Sequence, residues 1–200
     1  MSYDLLDNFL PPELEDYYEL AVLGSINGRK ILDPIVPFNV KYEPTFKDFE
    51  YTMFIHILKD SGHFSEFCSQ FAVILNHYCM QSGLTLMDVS GARIHLQPAN
   101  SSVQLNSKSI ESHIDNEMPH LVGLYFINDS DGDFKLIKDG EEIPIKPRKG
   151  RLVVFDGRLF HKAGFSTVGT RAAVNFNFMA MRNDERKKIV DEARKLTTGR

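Results

Sequence analysis

Two residues whose side chains bind transition metals stand two positions apart, at His113 and Asp115. Within a β-strand, residues i and i+2 point to the same face, so an imidazole and a carboxylate converge there on one point. A second histidine, His161, follows a predicted strand and a turn. Two histidines and one carboxylate occupy one face of an octahedron and leave the opposite face open, which suits non-haem iron(II). This spacing predicts a metal site formed by His113, Asp115 and His161.

A histidine and an aspartate at this spacing also arise by chance in a chain with seven histidines, so the surrounding residues decide the interpretation. Arg171 stands ten residues after His161 and opens a long alternating strand. From the inward face of that strand, a guanidinium can bind a carboxylate through two parallel hydrogen bonds. No other histidine has a carboxylate two residues away, and His120 is the best alternative to His161.

The strand that begins at Arg171 has two faces of different character. One face carries Asn175 and Asn177 beyond Arg171 itself. Buried polar groups cost free energy unless they find partners, so these asparagines are interpreted as pocket residues. The other face is apolar and contains Ala172, Val174, Phe176 and Phe178. The alternation leaves both registers open, and a sheet with one face on a pocket and the other under helices satisfies both.

The N-terminal part of the chain, residues 1–90, is predicted to be mainly helical. Pro12 favours a first helix that runs to about Leu23. Residues 46–58 are a second candidate helix. A third helix ends before Gly83, and its apolar stripe contains Phe64, Phe67, Phe71, Ile74, Leu75 and Tyr78.

From Gly91 onward the pattern changes to short strands and turns. The predicted strands are Ala92–Leu96, His120–Ile127, Phe134–Ile137, Glu142–Ile145, Arg151–Asp156 and Arg171–Met179. Strands without intervening helices argue against a parallel, doubly wound sheet. They predict a mainly β fold with a jelly-roll or cupin-like core, an N-terminal helical layer and a C-terminal helix. We expect one domain over residues 1–200, with the β core at 91–180 and the closing helix at 181–200.

Composition restricts the partners and the compartment. The net charge is −4, and acidic residues interrupt the basic ones near the C-terminus, so that helix is interpreted as a solvated face rather than a nucleic-acid site. The sequence contains no run of about 18 apolar residues, so no membrane span is expected. The two cysteines, Cys68 and Cys79, are expected to be buried and reduced. With no signal peptide at the N-terminus, we expect a cytosolic protein.

The serine-rich segment Asn100–Ser112 is predicted to be a loop immediately before the metal motif. Such a loop can close over a substrate, although a simple surface loop fits the pattern equally well. Residues 29–50, which contain three prolines, are a candidate second lid.

Several stretches together resemble a known family. They are His113–Asn116, Leu121–Asn128, Asp131–Phe134 and Pro147–Asp156, followed by His161 and Arg171. The combination resembles the iron(II)- and 2-oxoglutarate-dependent oxygenases of the prolyl 4-hydroxylase type, and small phage and bacterial members are the most similar. The resemblance covers about residues 90–180 well and the N-terminal helices loosely.

This resemblance implies a double-stranded β-helix core. It also implies iron(II), 2-oxoglutarate as cosubstrate, O2, and ascorbate as a candidate reductant. His113, Asp115 and His161 match the family's metal ligands. Arg171 matches the residue that binds the distal carboxylate of 2-oxoglutarate.

Three further residues are assigned to the surroundings of the cosubstrate. Phe126 stands where the family often has a tyrosine that shares the distal carboxylate, and Tyr125 is next to it. Gln97, just before a proline, replaces another family tyrosine and is a candidate contact for cosubstrate or substrate. Asn175 is the pocket residue of the Arg171 strand that we assign to cofactor binding.

The implied reaction is hydroxylation of a C–H bond, in a prolyl residue of a peptide or protein, with succinate and CO2 as co-products. One alternative is the same chemistry on a free small molecule. Others are a cupin-like metal-binding module without turnover, which has no use for a buried Arg171, and a metal-free jelly-roll interaction domain. A nucleic-acid substrate is disfavoured because Asn177 stands where the superfamily's nucleic-acid demethylases carry a second arginine.

Overall fold

The computed structural model describes residues 3–43, 51–99 and 112–198. The helices in these parts of the chain are α1 (Pro12–Leu23), α2 (Cys68–Gln81) and α3 (Asn183–Thr198). The strands are β1 (Asp4–Leu6), β2 (Ser25–Ile26), β3 (Arg29–Lys30), β4 (Asn39–Glu43), β5 (Tyr51–Asp60), β6 (His63–Phe64), β7 (Leu84–Gln97), β8 (Leu121–Phe126), β9 (Phe134–Lys138), β10 (Glu141–Ile145), β11 (Leu152–Asp156), β12 (Phe160–Ala163) and β13 (Arg171–Arg182). The predicted loop Asn100–Ser112 lies almost entirely outside the described residues, as does the end of the candidate lid at 29–50.

A large antiparallel sheet dominates the architecture. Its strands follow the order β1-β11-β8-β13-β7-β5-β4, and β6 pairs with β5. A smaller sheet has the order β10-β9-β12. One apolar core joins the two sheets and includes Phe126 and Phe155 from the large sheet and Leu136 from the small one. The prediction of a mainly β fold built from antiparallel strands is confirmed.

Helices α1 and α2 cover the other face of the large sheet. Tyr18 of α1 and Phe71 of α2 stack with their ring centroids 4.8 Å apart, and both belong to a core that contains Phe176 and Phe178 of β13. Helix α1 has the predicted bounds because proline is well suited to the first helical turn. It ends at Gly24, whose φ of 67° is a left-handed conformation that glycine adopts without steric cost.

Strand β13 has the two faces that its alternating sequence predicts. Val174 and Phe176 pack in the core under the helices, whereas Ala173 packs in the core between the two sheets. Successive side chains of a strand alternate between its faces, so Arg171 and Asn175 lie on the same side as Ala173. The question of register left open by the sequence is therefore answered by a sheet that uses both of its faces.

The prediction of a second helix at residues 46–58 is wrong. Where the structure describes this segment, it is strand β5, which pairs with β4 and with β7. The apolar run at 53–58 is rich in aromatic and branched side chains, and a short run of this kind does not distinguish a buried helix from a buried strand. Residues 1–90 therefore contribute strands to the large sheet as well as the two helices.

The bounds of other elements also differ from the predicted ones. Helix α2 begins at Cys68, so Phe64 belongs to β6 and is 62% exposed instead of lying on the helix's apolar stripe. Strand β7 extends N-terminally to Leu84 because its early residues pair with the last residues of β13. Both cysteines are free, and Cys68 is only half-buried. Among the described helices, none has the length and apolar character needed to span a membrane.

Candidate active site

Two backbone hydrogen bonds bring the predicted metal ligands together. The amide of His113 donates to the carbonyl of His161 over 3.0 Å, and the amide of His161 donates back over 2.9 Å. His161 lies in β12, a four-residue strand that the sequence did not predict. His113 forms only this isolated bridge, so the prediction that the His-x-Asp motif lies within one strand is wrong. The two ligand segments nevertheless become neighbours through a single pair of bridging residues.

The side chains of His113, Asp115 and His161 form a compact cluster. One ligand atom from each lies within 4.8 Å of the others. The Asp115 Oδ1 atom is 3.5 Å from Nε2 of His161 and 3.7 Å from Nε2 of His113. Within the described parts of the chain, this is the one group of three such side chains with metal-binding spacing.

A second contact fixes the orientation of His161. Its Nδ1 atom lies 3.0 Å from the carbonyl oxygen of Leu159, which accepts a hydrogen bond when Nδ1 carries the proton. In the neutral tautomer the Nε2 atom is unprotonated and free to bind a metal, whereas in the imidazolium form Nε2 also carries a proton and donates to Asp115. A backbone carbonyl commonly orients a metal-binding imidazole in this way.

The carboxyl group of Asp115 is suited to a cation. Burial alone would raise its pKa, but the hydrogen bond and charge of His161, with smaller contributions from His113 and Asn175, lower the pKa to about 2. The Asp115 Oδ2 atom is buried and accepts no hydrogen bond within the described residues. An ionised carboxylate with a buried, unused oxygen beside two imidazoles fits a divalent transition metal.

Aromatic side chains surround the cluster. The rings of Phe155 and Phe134 lie 5.1 Å and 5.7 Å from the imidazole of His161, measured between centroids. Both phenylalanines belong to the core between the two sheets. The inner side of the site is therefore apolar, which excludes water and strengthens electrostatic interactions there.

Arg171 lies on the site face of β13 and is only 6% exposed. Its guanidinium carbon is 5.6 Å from the centroid of the Phe126 ring, a cation–π contact. Nη1 lies 3.5 Å from Oε1 of Gln97 and 3.4 Å from the carbonyl oxygen of Gly164, both weak hydrogen bonds. Gln97 is directly opposite Arg171 in the β7–β13 ladder. Gln97 and Phe126, which were predicted from separate parts of the sequence, thus both contact the guanidinium of Arg171.

The other residues that the sequence offered as ligands or cosubstrate contacts lie outside the ligand cluster. Tyr125 points to the helices, where its ring meets that of Tyr18 at a centroid distance of 6.0 Å. His56 is held by the Pro37 carbonyl and the Ser65 hydroxyl, each 2.7 Å away, as a structural histidine. His120 packs against Gly157 and is not part of the ligand cluster.

Sequence reasoning missed the loop contacts that support Arg171. Asn128 accepts a hydrogen bond from the amide of Ala172 over 2.9 Å and donates one to the carbonyl of Thr170 over 2.6 Å. Asp131 accepts hydrogen bonds from the hydroxyl groups of Ser166, at 2.7 Å, and Thr167. We call the contacts of Asn128 and Asp131 with residues 166–172 the loop clasp. The polar, turn-forming run at 128–132 was the available signal, because such residues hydrogen-bond to backbone groups in loops.

The large antiparallel sheet, the small sheet and the helical layer define the double-stranded β-helix fold of 2-oxoglutarate- and iron(II)-dependent oxygenases. A prolyl 4-hydroxylase from Pseudomonas putida superposes with a TM-score of 0.56 and 19% identity, over 88% of this chain and 91% of that chain. A prolyl hydroxylase from Trichoplax adhaerens, in complex with a peptide fragment of the hypoxia inducible factor oxygen degradation domain, superposes with a TM-score of 0.62 and 14% identity, over 92% and 86%.

A third structural neighbour has a different type of activity. The epimerase SnoN, in complex with Fe3+, alpha ketoglutarate and nogalamycin RO, superposes with a TM-score of 0.58 and 13% identity, over 88% of this chain and 78% of that chain. No protein-family profile and no curated protein sequence matches this chain. The likeness is therefore one of fold.

Proposed function

We propose that this protein is an iron(II)- and 2-oxoglutarate-dependent oxygenase that hydroxylates a C–H bond in a prolyl residue of a peptide or protein. The observation that carries the proposal is the combination of two groups on one side of the large sheet. The cluster of His113, Asp115 and His161 offers a metal three ligands, and the buried Arg171 offers a fixed positive charge. A metal-binding module without turnover has no need of the second group.

Each of these groups has a defined task. Two imidazoles and one carboxylate would hold iron(II), which supplies the oxidising chemistry with O2 and 2-oxoglutarate when they are bound. The Leu159 carbonyl keeps the ligating nitrogen of His161 aimed at the cluster. Asp115 brings one negative charge that offsets part of the charge of the metal.

Arg171 would bind the distal carboxylate of 2-oxoglutarate. A guanidinium binds a carboxylate through two parallel hydrogen bonds, and burial strengthens the pairing. Gln97 and the Gly164 carbonyl orient the guanidinium, and the Phe126 ring supports its face. Asn175, four residues after Arg171 on the same face of β13, donates a hydrogen bond to Asp115 that helps to lower the pKa of that carboxyl group.

The choice of a peptidyl prolyl substrate is supported by two neighbours in fold. One is a prolyl 4-hydroxylase, and the other is a prolyl hydroxylase bound to a peptide fragment. We further propose a single catalytic domain over residues 1–200. A cytosolic location is supported by the two free cysteines, since a reducing compartment keeps thiols unpaired.

The test is turnover with proline-containing peptides in the presence of iron(II), 2-oxoglutarate, ascorbate and O2. We expect succinate to form in excess of a peptide-free reaction, together with a peptide product heavier by one oxygen atom in mass spectrometry. Both products should disappear in Asp115→Ala. Succinate formation without any modified peptide would retain the oxygenase proposal and reject the prolyl substrate.

A free small molecule is the second candidate substrate, and the SnoN structure with bound nogalamycin RO favours it. The two candidates differ in what the protein must accommodate. A peptide needs an open cleft that holds an extended chain, whereas a small molecule is mostly enclosed by its pocket. Peptide-independent succinate formation that rises with one class of added small molecules would favour the second candidate.

A further inference from the structure

Helix α3 projects from the body of the molecule. Every residue from Asn183 to Leu196 is exposed except Asp191, which is half-buried. Its first residue is attached through a hydrogen bond of 3.1 Å from the Asn183 amide to the Gly83 carbonyl. Most helical stability in proteins comes from packing an apolar face, and an isolated helix of this length is only marginally stable in water. A partner surface would therefore stabilise α3.

The helix has an apolar face for such a partner. Each residue advances about 100° around an α-helix, which puts Ile189 and Leu196 within about 20° of each other. Ile189 is 53% exposed and Leu196 is 86% exposed. Val190 is also exposed, about 100° around the helix from Ile189. An apolar stripe with this exposure on an otherwise polar helix is typical of an interaction surface.

One flank of the stripe has an alternating order of charges. Around the helix, the flank spans about 80°. Along the helix it contains, in order, Glu185, Lys188, Glu192 and Lys195. Two antiparallel helices related by a two-fold axis bring the same flank of each helix together, because the contact is isologous. The charges of this flank can therefore be compared with those of the same flank on a second copy.

The charges match when the two-fold axis passes beside Val190. Glu185 of one copy then lies opposite Lys195 of the other, since each is five residues from the axis. Lys188 lies opposite Glu192 in the same way, two residues from the axis. All four charges of the flank meet opposite charges, which fixes orientation and register in paired helices.

We propose that two copies of this chain associate through antiparallel pairing of α3. Ile189 of one copy meets Ile189 of the other beside the axis, and Leu196 lies at each end of the contact, level with Asp184 and Glu185 of the other copy. The flank of Glu185, Lys188, Glu192 and Lys195 is complementary in charge to the same flank of the other copy. The other flank offers Val190 at the axis and no complementary charges. The contact is small, so the dimer is weak and reversible.

The charge balance of α3 distinguishes this partner from others. Between residues 184 and 195 the helix has four acidic and five basic side chains in alternating groups. An anionic membrane or a nucleic acid selects a face of predominantly basic residues. Alternating groups of both signs, in contrast, are neutralised by an antiparallel copy of themselves.

A charge-exchange experiment tests the pairing. The first variant is Glu185→Lys with Glu192→Lys, and the second is Lys188→Glu with Lys195→Glu. Sedimentation equilibrium from about 1 to 100 μM, a range that brackets weak association, should show a monomer–dimer equilibrium for the native chain. Each variant alone should raise the dissociation constant about tenfold or more, because every flank pair becomes a like-charge pair. An equimolar mixture of the two variants should dimerise again.

The matched control for the first variant is Glu66→Lys with Glu141→Lys, which changes the net charge by the same amount at exposed sites outside α3. It should dimerise like the native chain. Circular dichroism of each variant checks that α3 remains helical. The proposal is overturned by a native chain that stays monomeric, by variants that still dimerise alone, or by a mixture that does not recover. Binding of the monomeric native chain to phosphatidylserine vesicles would identify a membrane surface as the partner instead.

Discussion

Three side chains at the candidate metal centre come from two segments joined by one pair of backbone hydrogen bonds. Asp115 is the member whose chemistry is most constrained, because one oxygen of its carboxylate is buried and its neighbours, His161 above all, lower its pKa to about 2. Without a cation, the two imidazoles are its main electrostatic partners. With a divalent metal, the same carboxylate becomes a ligand beside two neutral imidazoles.

Replacing Asp115 by alanine should abolish tight metal binding. The two remaining imidazoles offer too few ligands for a facial site, so we expect the dissociation constant for Mn(II) to rise at least about 100-fold. Isothermal titration calorimetry or the EPR signal of free Mn(II) measures the change. Glu117→Ala, which removes an exposed carboxylate two residues away, is the control and should bind as the native protein does. Equal affinities in both variants would place the metal elsewhere.

Arg171→Lys should weaken 2-oxoglutarate binding without affecting the metal. Lysine keeps the charge but loses the planar pair of donors that matches a carboxylate. We expect the affinity of the metal-loaded protein for 2-oxoglutarate to fall about 10- to 100-fold, with Mn(II) affinity unchanged. Arg148→Lys, at an exposed position, is the matched control. A loss of Mn(II) affinity in Arg171→Lys would contradict the separate tasks given to the two groups.

At the level of elements, β13 shows how far the sequence could predict the site. Its alternation correctly indicated one apolar face, and Arg171 and Asn175 follow on the opposite face. Strand β12 could not be found in this way, because four residues are too few to show a period. Strand β5 was misassigned because its apolar run fits helix and strand alike, and only pairing with the distant β7 decides between them.

The loop clasp should be needed for cosubstrate binding although it does not touch the cosubstrate. Asn128→Ala removes the hydrogen bonds to Ala172 and Thr170, which flank Arg171. The guanidinium then loses orientation, and we expect 2-oxoglutarate affinity to fall about threefold to tenfold. Calorimetry measures it, and Asp129→Ala, next in sequence, controls for the general effect of substitution in this loop. Unchanged affinity in Asn128→Ala would show that the loop clasp is not needed to orient Arg171.

The clasp should also depend on pH through Asp131. Desolvation raises its pKa, but hydrogen bonds from Thr167 and Ser166 outweigh that effect and lower the pKa to about 2. A carboxyl group with a lowered folded-state pKa contributes stability above its unfolded-state value of about 3.9, and this contribution is lost as the pH falls towards 2. Hydrogen exchange of residues 164–170 should therefore accelerate as the pH falls from about 4, after correction for intrinsic rates. Asp131→Asn should show fast corrected exchange already at neutral pH.

Over the whole molecule, the large sheet has an apolar core on each face, and one of these cores contacts the candidate metal site. The core under the helices contains Phe178, whereas the core between the sheets contains Phe155, which contacts His161. We expect Phe178→Ala and Phe155→Ala each to reduce the free energy of unfolding by about 3–5 kcal/mol. Only Phe155→Ala should also weaken Mn(II) binding. Denaturant unfolding and calorimetry on the two variants measure this difference, and equal effects on Mn(II) binding would argue against this difference between the two cores.

The motif residues and the β character could be read from the sequence because both depend on local spacing. The strand order, the role of residues 1–90 in the large sheet and the loop clasp could not, because they depend on contacts between segments far apart in the chain. The structural neighbours share the fold at 13–19% identity. At that level, the few residues at the site carry more functional information than the remaining sequence does.

The most direct test of the central claim is visible absorption of the protein with iron(II) and 2-oxoglutarate under anaerobic conditions. If His113, Asp115 and His161 hold iron(II) and Arg171 positions 2-oxoglutarate, a weak charge-transfer band should develop at about 500 nm. The band should be absent in Asp115→Ala and weakened in Arg171→Ala. A folded, metal-binding protein that gives no band would contradict the oxygenase and favour a cupin-like metal-binding module.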